Sequence, residues 1–264
     1  MKKISLLLVL AIFVSFMISC APKGEQKTES TEQEVVQEPI KEMAPNTLTQ
    51  AEIDEGWVLL FDGQTSSGWR SYGKSTFPEK GWLIEDGVLH VQGSGKGEAG
   101  GGGDIITEKK YGNFEFSLEW KVSEGGNSGI FYLVQEKPDQ PIWKSAPEMQ
   151  ILDNAKHPDA KLGIDGNRAA GSLYDLIPGN FEAVKPAGEW NKIKIMVFKG
   201  TVVHWVNDVN VLEYHLWTKD WKDMVGKSKF KDYEDFMNPA EEGYIGLQDH
   251  GDDVWFRNIK IKEL

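Results

Sequence analysis

The sequence predicts an all-β domain, built as a sandwich of two antiparallel sheets with a short helical insertion. Short segments alternate apolar and polar side chains, turn dipeptides separate these segments, and no strand–helix–strand rhythm recurs. Antiparallel sheets produce this pattern because one face of each strand packs on a core while the other meets solvent. Two such sheets packed face to face form a sandwich.

The predicted strands follow one another with turn signals between them. The dipeptide Asp86-Gly87 separates two short apolar runs and predicts a hairpin. Lys199-Gly200 and the polar pair that follows the next run predict two further turns. The clearest predicted strands are 82–84, 88–91, 114–122, 190–198, 201–206, 209–212 and 254–262.

Two segments do not have the strand pattern. Hydrophobic residues recur at helical spacing from Trp217 to Val225, and Thr218 can cap the N-terminus. We therefore predict a helix from Thr218 to about Phe230, inserted between strands. The four glycines at 100–103 predict only a flexible loop, because no phosphate-binding motif follows them.

The N-terminus is predicted to direct the protein to the cell envelope. Two lysines and an apolar run, 4–18, precede Ser19 and Cys20, which is typical of a secretory signal peptide. The four residues ending at Cys20, the chain's only cysteine, resemble a bacterial lipobox. We predict a signal peptide over residues 1–19 and lipidation of Cys20. The protein would be lipid-anchored in the bacterial envelope, facing the periplasm or the outer membrane.

Composition divides the rest of the chain into a tether and a domain. Residues 20–50 are rich in Glu, Gln, Lys, Thr and Pro, which predicts a disordered acidic tether. Residues 51–264 hold all ten tryptophans and suit one large all-β domain. The net charge of −12 argues against a nucleic-acid partner, which needs a basic surface. It is compatible with a neutral carbohydrate, and the lipid alone would contact the membrane.

The run from 147 to 154 carries the strongest chemical signal. Side chains alternate faces along a strand, so Glu148 and Gln150 share one face and Asp153 lies on the other. A glutamate in an apolar strand needs a partner or a task, unless an open sheet exposes it to water. A sandwich glucanase presents two carboxylates on one strand face. Here a second carboxylate could come from Asp104, Asp249 or Asp252, although no spacing requires it. Gln150 in the second position instead favours a single base acting beside a carbonyl, with the oxyanion stabilised by polar groups.

Three more segments combine polar side chains with turns. Asn127 follows two glycines that let a ligand approach the backbone closely. The loop 154–174 holds Arg168 and Tyr174 and is long enough to be functional. His250 stands among acidic residues, where it can be a general acid or base, a metal ligand or a salt-bridged surface residue.

Several short motifs occur in the order found in a known family. They span 60–63, 68–69, 125–130, 148–154, 171–176, 186–191, 248–251 and 256–259. Together they cover about residues 55–264, and the chain resembles the 3-keto-disaccharide hydrolase family of bacterial lipoproteins. The resemblance implies a concanavalin A-like jelly roll. It also implies action on glycosides whose C3 hydroxyl has been oxidised to a ketone.

The implied reaction needs one strong base and a stabilised oxyanion. A 3-ketone acidifies the hydrogen on C2, so a base can remove it, the group on C1 can leave by elimination, and water can add afterwards. We expect Glu148 or His250 to act as the acid or base. The residues expected to bind the sugar or its enolate are Gln150, Asn127, Arg257, Tyr174 and Arg168.

Three points stay open at this level. A divalent metal held by Glu148 and His250 is one of them, because carboxylate and imidazole suit several metals. A second is a non-catalytic, lectin-like carbohydrate-binding module on the same fold, in which Trp143, Tyr132 or Trp255 stacks on sugars. A third is an ordinary β-glucan hydrolase.

Overall fold

The computed structural model describes residues 44–95 and 100–264. The predicted signal peptide, the lipidation site Cys20 and most of the predicted tether lie outside these residues, and they stay predictions. Within the two described ranges, no helix has the length and apolar character needed to cross a membrane.

The described residues form thirteen strands in two antiparallel sheets, which confirms the predicted fold class. The strands are β1 (Val58–Leu59), β2 (Trp69–Ser71), β3 (Trp82–Glu85), β4 (Val88–Val91), β5 (Ile105–Thr107), β6 (Phe114–Val122), β7 (Asn127–Val134), β8 (Glu148–Leu152), β9 (Asn191–Phe198), β10 (Thr201–Val206), β11 (Val209–His215), β12 (Tyr244–Leu247) and β13 (Val254–Glu263). The larger sheet has the order β11-β10-β9-β6-β13-β4-β3, with β1 paired to β13. The smaller sheet has the order β2-β5-β12-β7-β8.

The alternation of the sequence determines which faces meet. In β6, Phe114, Phe116, Leu118 and Trp120 are buried and join the core between the sheets. The predicted hairpin is confirmed, since β3 pairs with β4 across Asp86-Gly87. Both turn residues have positive φ, 49° and 75°, as a tight two-residue hairpin turn requires.

The folded domain begins before the predicted boundary at residue 51. Asn46 is buried, its backbone N–H donates to Asn258 Oδ1 at 2.6 Å, and its Nδ2 donates to the Gly87 carbonyl at 2.7 Å. A short helix, α1 (Gln50–Asp54), follows, and Thr49 caps it in a capping box with Glu52. Residues 44–50 therefore belong to the domain and not to the tether, because their polar groups are paired with it.

The helical insertion is shorter than predicted and is split in two. Helix α2 (Lys219–Val225) begins after Thr218, whose side chain accepts from Trp221 N as predicted. It ends at Gly226 and not near Phe230, and α3 (Glu234–Met237) follows. Phe230 stacks on Phe236 with ring centres 4.0 Å apart. This aromatic packing fixes residues 229–233 in place although they are not helical.

Three single turns of 3-10 helix complete the described structure, at Ile142–Lys144, Pro158–Lys161 and Phe181–Ala183. The second lies in the loop that follows β8, and the first precedes β8. Both of these turns therefore lie beside the strand that carries Glu148.

Candidate active site

Polar side chains from distant parts of the chain meet in one pocket on the outer face of the smaller sheet. Met149 and Ile151 belong to the core between the sheets, so Glu148 and Gln150, which alternate with them, point to the opposite side. The pocket has a volume of about 400 Å³. Its polar wall consists of Asp104, Asn127, Glu148, Gln150, Gln248 and His250.

Glu148 is almost fully buried, with 6% of its surface exposed. Its carboxylate lies against the Cα of Gly129, where a Cβ atom would be only 2.1 Å from Oε1. Gly129 therefore makes room for the carboxylate, which has no hydrogen bond or ion pair with the rest of the described chain. Burial raises the pKa of Glu148 to about 8, the positive charge of Lys229 opposes this shift, and the negative charges of Asp104 and Asp159 add to it.

A second carboxyl group, that of Asp104, lines the same pocket. Burial raises the pKa of Asp104 to about 7, a hydrogen bond from the Asp249 backbone N–H lowers it, and the charge of Asp249 raises it further. That hydrogen bond reaches Oδ1 of Asp104 at 3.0 Å. The pocket thus holds two carboxyl groups that are both hard to ionise.

Asp249 also lines the pocket, but its carboxylate has a structural task. Its Oδ2 accepts backbone N–H groups of Gly102 and Gly103 at 2.8 and 2.9 Å. A Cβ atom on Gly100 would lie 1.9 Å from this carboxylate. The glycines predicted to form a flexible loop therefore wrap an acidic side chain, because only glycine lets the backbone approach so closely.

Asn127 and His250 contact each other on the polar wall. Asn127 is 4% exposed, and its Nδ2 donates to His250 Nε2 at 3.2 Å. Its backbone N–H donates to Asp252 at 3.0 Å. The Oδ1 atom of Asn127 is buried and accepts no hydrogen bond from any described residue. A sugar hydroxyl entering the pocket would satisfy this acceptor.

Tyr174 lines the pocket, whereas Arg168 supports it from behind. The Tyr174 hydroxyl donates to Asp159 Oδ2 at 2.8 Å, and Arg168 Nη1 donates to the other oxygen of Asp159 at 2.9 Å. Arg168 Nε also donates to Asp175 at 2.6 Å. Arg168 thus holds the tyrosine through Asp159 and is not among the residues that line the pocket.

Lys229 is a pocket residue that sequence reasoning missed. It comes from the non-helical segment of the insertion, and its Nζ lies 4.0 Å from the centre of the Tyr174 ring. Burial lowers the pKa of Lys229, while the negative charges of Asp175 and Glu148 oppose the shift. An amphipathic pattern marks this segment only as surface helix, and nothing in the sequence indicates that it folds back over β8.

Aromatic side chains form the opposite wall. Trp143 and Tyr233 meet edge to face with ring centres 5.5 Å apart, and Phe230 lies beside them in the pocket lining. The other aromatic residues considered for sugar stacking lie elsewhere. Tyr132 is fully buried in the core, and Trp255 stacks on a histidine of the larger sheet.

Arg257 was expected to bind the sugar, but it does not line this pocket, so the structure does not bring it together with Glu148. It lies on β13 in the larger sheet, donates to Glu119 Oε2 at 2.7 Å and stacks over Trp190 at 4.1 Å. A bulge in β13 lies between Arg257 and Lys260. The side chain is held on a sheet different from the one that carries Glu148.

The divalent metal considered for Glu148 and His250 stays a prediction. In ranges 44–95 and 100–264, no group of three or more His, Cys, Asp or Glu side chains is placed to hold a metal ion. Glu148, His250 and Asp104 line the pocket, and the Asp249 carboxylate accepts glycine N–H groups. A structural or catalytic metal needs at least three protein ligands in most sites.

A larger groove, of about 1000 Å³, lies beside β2, but its charged side chains are less available for catalysis. Its main cation, Arg70, makes a two-pronged ion pair with Glu136 at 2.7 and 2.9 Å. Glu136 also accepts the Gly73 backbone N–H at 2.5 Å. Because these charges neutralise each other, the pocket at Glu148 remains the candidate active site.

Comparison with known proteins agrees with a two-sheet sandwich that carries a polar pocket on its smaller sheet. Residues 56–262 match the family described as the 3-keto-alpha-glucoside-1,2-lyase-like domain. A curated relative, the 3-keto-disaccharide hydrolase of Bacteroides thetaiotaomicron, is 49% identical over 292 aligned residues that cover 100% of both chains. The chain therefore belongs to the 3-keto-alpha-glucoside-1,2-lyase-like family.

Solved structures support the same fold. A candidate glycosyl hydrolase from Parabacteroides distasonis superposes with a TM-score of 0.74 at 33% identity, covering 84% of this chain and 100% of its own. A second protein of the same description and organism has a TM-score of 0.63 at 28% identity, covering 79% of this chain and 99% of its own.

Proposed function

We propose that the protein cleaves 3-keto-glycosides, 3-keto-disaccharides among them, by removing the proton on C2 beside the ketone. The observation that carries this proposal is the carboxylate of Glu148, buried, unpaired among the described residues and open to a pocket. A base with its pKa raised to about 8 matches the task of taking a proton from carbon at neutral pH. The name of the Bacteroides relative supports the substrate class.

The reaction balances with one base and one oxyanion site. Glu148 takes the C2 proton, the C–H electron pair forms a C2=C3 double bond, and the ketone oxygen becomes an oxyanion. The oxyanion then returns its electrons, C1=C2 forms, and the C1–O bond breaks as the leaving oxygen takes up a proton. Water adds to C1 and gives up one proton, which replaces the proton taken by the leaving group, and Glu148 returns its proton to C2, so the net change is hydrolysis.

Lys229 is proposed to stabilise the oxyanion, because it is the cation that lines the pocket beside Glu148. A positive charge at a developing oxyanion in a partly desolvated site is worth more than in water. Asn127 and Gln150 are proposed to bind sugar hydroxyls. His250 is proposed to assist proton transfer and to orient Asn127 through the 3.2 Å contact.

The proposal is tested by offering a 3-keto-glucoside disaccharide and its unoxidised parent to the protein in deuterated water. We expect cleavage of the keto substrate alone, with deuterium at C2 of the product above the level of an enzyme-free control. Cleavage of the parent would indicate an ordinary glycoside hydrolase. Binding of sugars without turnover of either substrate would indicate a lectin-like module.

Removal of divalent metal should leave activity unchanged, because no group of three or more His, Cys, Asp or Glu side chains among residues 44–95 and 100–264 is placed to hold a metal ion. The measurement compares kcat/KM on the keto substrate before and after incubation with EDTA and gel filtration. A loss that added Mn²⁺ or Zn²⁺ restores would contradict this prediction. It would also indicate that Glu148 and His250 bind a divalent metal.

Replacing Trp143 with Ala should weaken substrate binding more than it slows turnover. An aromatic contact of this kind contributes about 1 kcal/mol, so we expect KM to rise about fivefold and kcat to change little. Trp205→Ala is the matched control, because Trp205 lies on β10 of the larger sheet. Equal effects of the two substitutions would argue against Trp143 as a sugar platform.

The predicted lipid anchor at Cys20 would place this activity at the cell envelope. The predicted lipidation is tested by incorporation of radiolabelled fatty acid into the full chain, which should be lost in Cys20→Ser.

A further inference from the structure

We propose that Asp104 is a second catalytic carboxyl group, which donates the proton to the glycosidic oxygen as the C1–O bond breaks. The inference rests on the proposed function and assigns the acid that this function leaves unnamed. The sequence offers no second carboxylate on the strand of Glu148 and names Asp104 only as one of three candidates elsewhere in the chain. The structure places Asp104, the residue before β5, in the same pocket as Glu148.

The placement of Asp104 comes from the order of the smaller sheet. Asp104 immediately precedes β5, and β5, β12, β7 and β8 lie side by side in that order. Strands are about 4.8 Å apart, so the backbones of β5 and β8 are about 14 Å apart. Asp104 and Glu148 therefore enter the pocket from well-separated strands, and a sugar ring bound between them would present C2 to one carboxyl group and the C1 oxygen to the other.

The surroundings of the two carboxyl groups differ in a way that separates their roles. Asp104 has no ion pair with any described lysine, arginine or histidine, and Asp249 adds negative charge beside it. Glu148 has Lys229 nearby, which favours its ionised form. The pKa values of the two groups, about 7 for Asp104 and about 8 for Glu148, do not by themselves assign the proton, so the roles follow from position. Glu148 lies beside the cation proposed to hold the oxyanion, and Asp104 enters the pocket next to a different strand of the sheet.

Other groups of the pocket are less suited to donate this proton. The Asp249 carboxylate accepts two glycine N–H groups, which gives it a structural task. His250 Nε2 is already in contact with the Asn127 amide at 3.2 Å. The Tyr174 hydroxyl donates to Asp159.

The proposed steps close a complete cycle. When C1–O breaks, its electron pair goes to the leaving oxygen, which takes the proton of Asp104. Glu148 then holds the C2 proton and Asp104 is ionised. In the hydration step, Asp104 takes a proton from the water that adds to C1, and Glu148 returns its proton to C2. Both carboxyl groups regain their starting state.

The test compares two 3-keto-glucosides that differ only in the leaving group, methanol or 4-nitrophenol, in single-turnover release assays. Nitrophenolate leaves without a proton, whereas methoxide needs one. We expect Asp104→Asn to slow methanol release at least about a hundredfold and nitrophenol release less than about fivefold. Asn keeps the acceptor for the Asp249 N–H, so the substitution removes the proton and not the structural hydrogen bond.

Controls make each outcome decisive. Asp62→Asn, an exposed aspartate that also accepts backbone N–H groups, should leave both rates unchanged. Equal slowing of both substrates by Asp104→Asn, or slowing of neither, would overturn the role of Asp104. A selective loss in His250→Gln instead would assign the acid to His250. If the wild-type protein cleaves neither keto-glucoside, the proposed function fails and not the assignment of Asp104.

Discussion

Glu148→Gln is expected to lower kcat/KM on a 3-keto-glucoside by about 10²–10⁴-fold, the range that a general base contributes. Gln has nearly the same shape and still fits over Gly129, but it cannot accept the C2 proton. The decisive measurement is the partial reaction. A 3-keto analogue without a leaving group on C1 can only exchange its C2 hydrogen with solvent deuterium. The substitution should abolish enzyme-catalysed exchange.

Two further variants separate the base from its surroundings. Arg257→Ala should leave exchange and turnover within about twofold of wild type, since its ion pair lies on the larger sheet. His250→Ala should reduce turnover while exchange by Glu148 persists. If exchange continues at the wild-type rate in Glu148→Gln but disappears in His250→Ala, the base is the histidine. That result would require a revised mechanism.

The sequence contained enough information for the fold and for the centre of the site. Strict alternation over 114–122 and the turn at Asp86-Gly87 identify strands and a hairpin because strand side chains have a period of two. The same period places Glu148 and Gln150 on one face. Local pattern is sufficient in these cases because each inference concerns neighbours along one strand.

Local sequence pattern could not place the pocket residues that come from other strands and from the insertion. Lys229 depends on the fold of the insertion, which aromatic stacking of Phe230 on Phe236 determines and periodicity does not. Asp104 was one of three possible second carboxylates, and the choice among them depends on the strand order of the smaller sheet. Arg257 was assigned from a motif, and motif proximity does not reveal which sheet a strand joins. Long-range pairing decides all three placements.

Glu148→Gln is also expected to stabilise the protein at neutral and alkaline pH. Burial raises the pKa of Glu148 from 4.5 to about 8. Between these values the folded protein keeps a proton that the unfolded chain releases, so unfolding becomes more favourable as the pH rises. Each pH unit in this window contributes up to about 1.4 kcal/mol, which gives an upper estimate of about 3 kcal/mol at pH 7. Gln does not ionise, so the stability of the variant has no such dependence on pH.

The measurement is urea unfolding of both proteins from pH 4 to pH 9. The difference in unfolding free energy should be smallest at pH 4, grow up to about pH 8 and stay constant above it. In the variant, Lys229 no longer has the negative charge of Glu148 beside it, but the charges of Asp175 and Asp159 remain. The gain in unfolding free energy is therefore reduced and not reversed. A difference that is independent of pH would show that the Glu148 carboxyl has an ordinary pKa.

Glu136→Gln provides a control of opposite sign. A hydrogen bond and ion pair with Arg70 lower the pKa of Glu136, so its carboxylate stabilises the folded state above its ordinary pKa and loses this effect as the pH falls. This variant should be less stable than wild type at neutral pH and approach it in acid. Opposite pH trends for two glutamates would mean that Glu148 is retained at the expense of stability, as expected for a base whose strength depends on its burial.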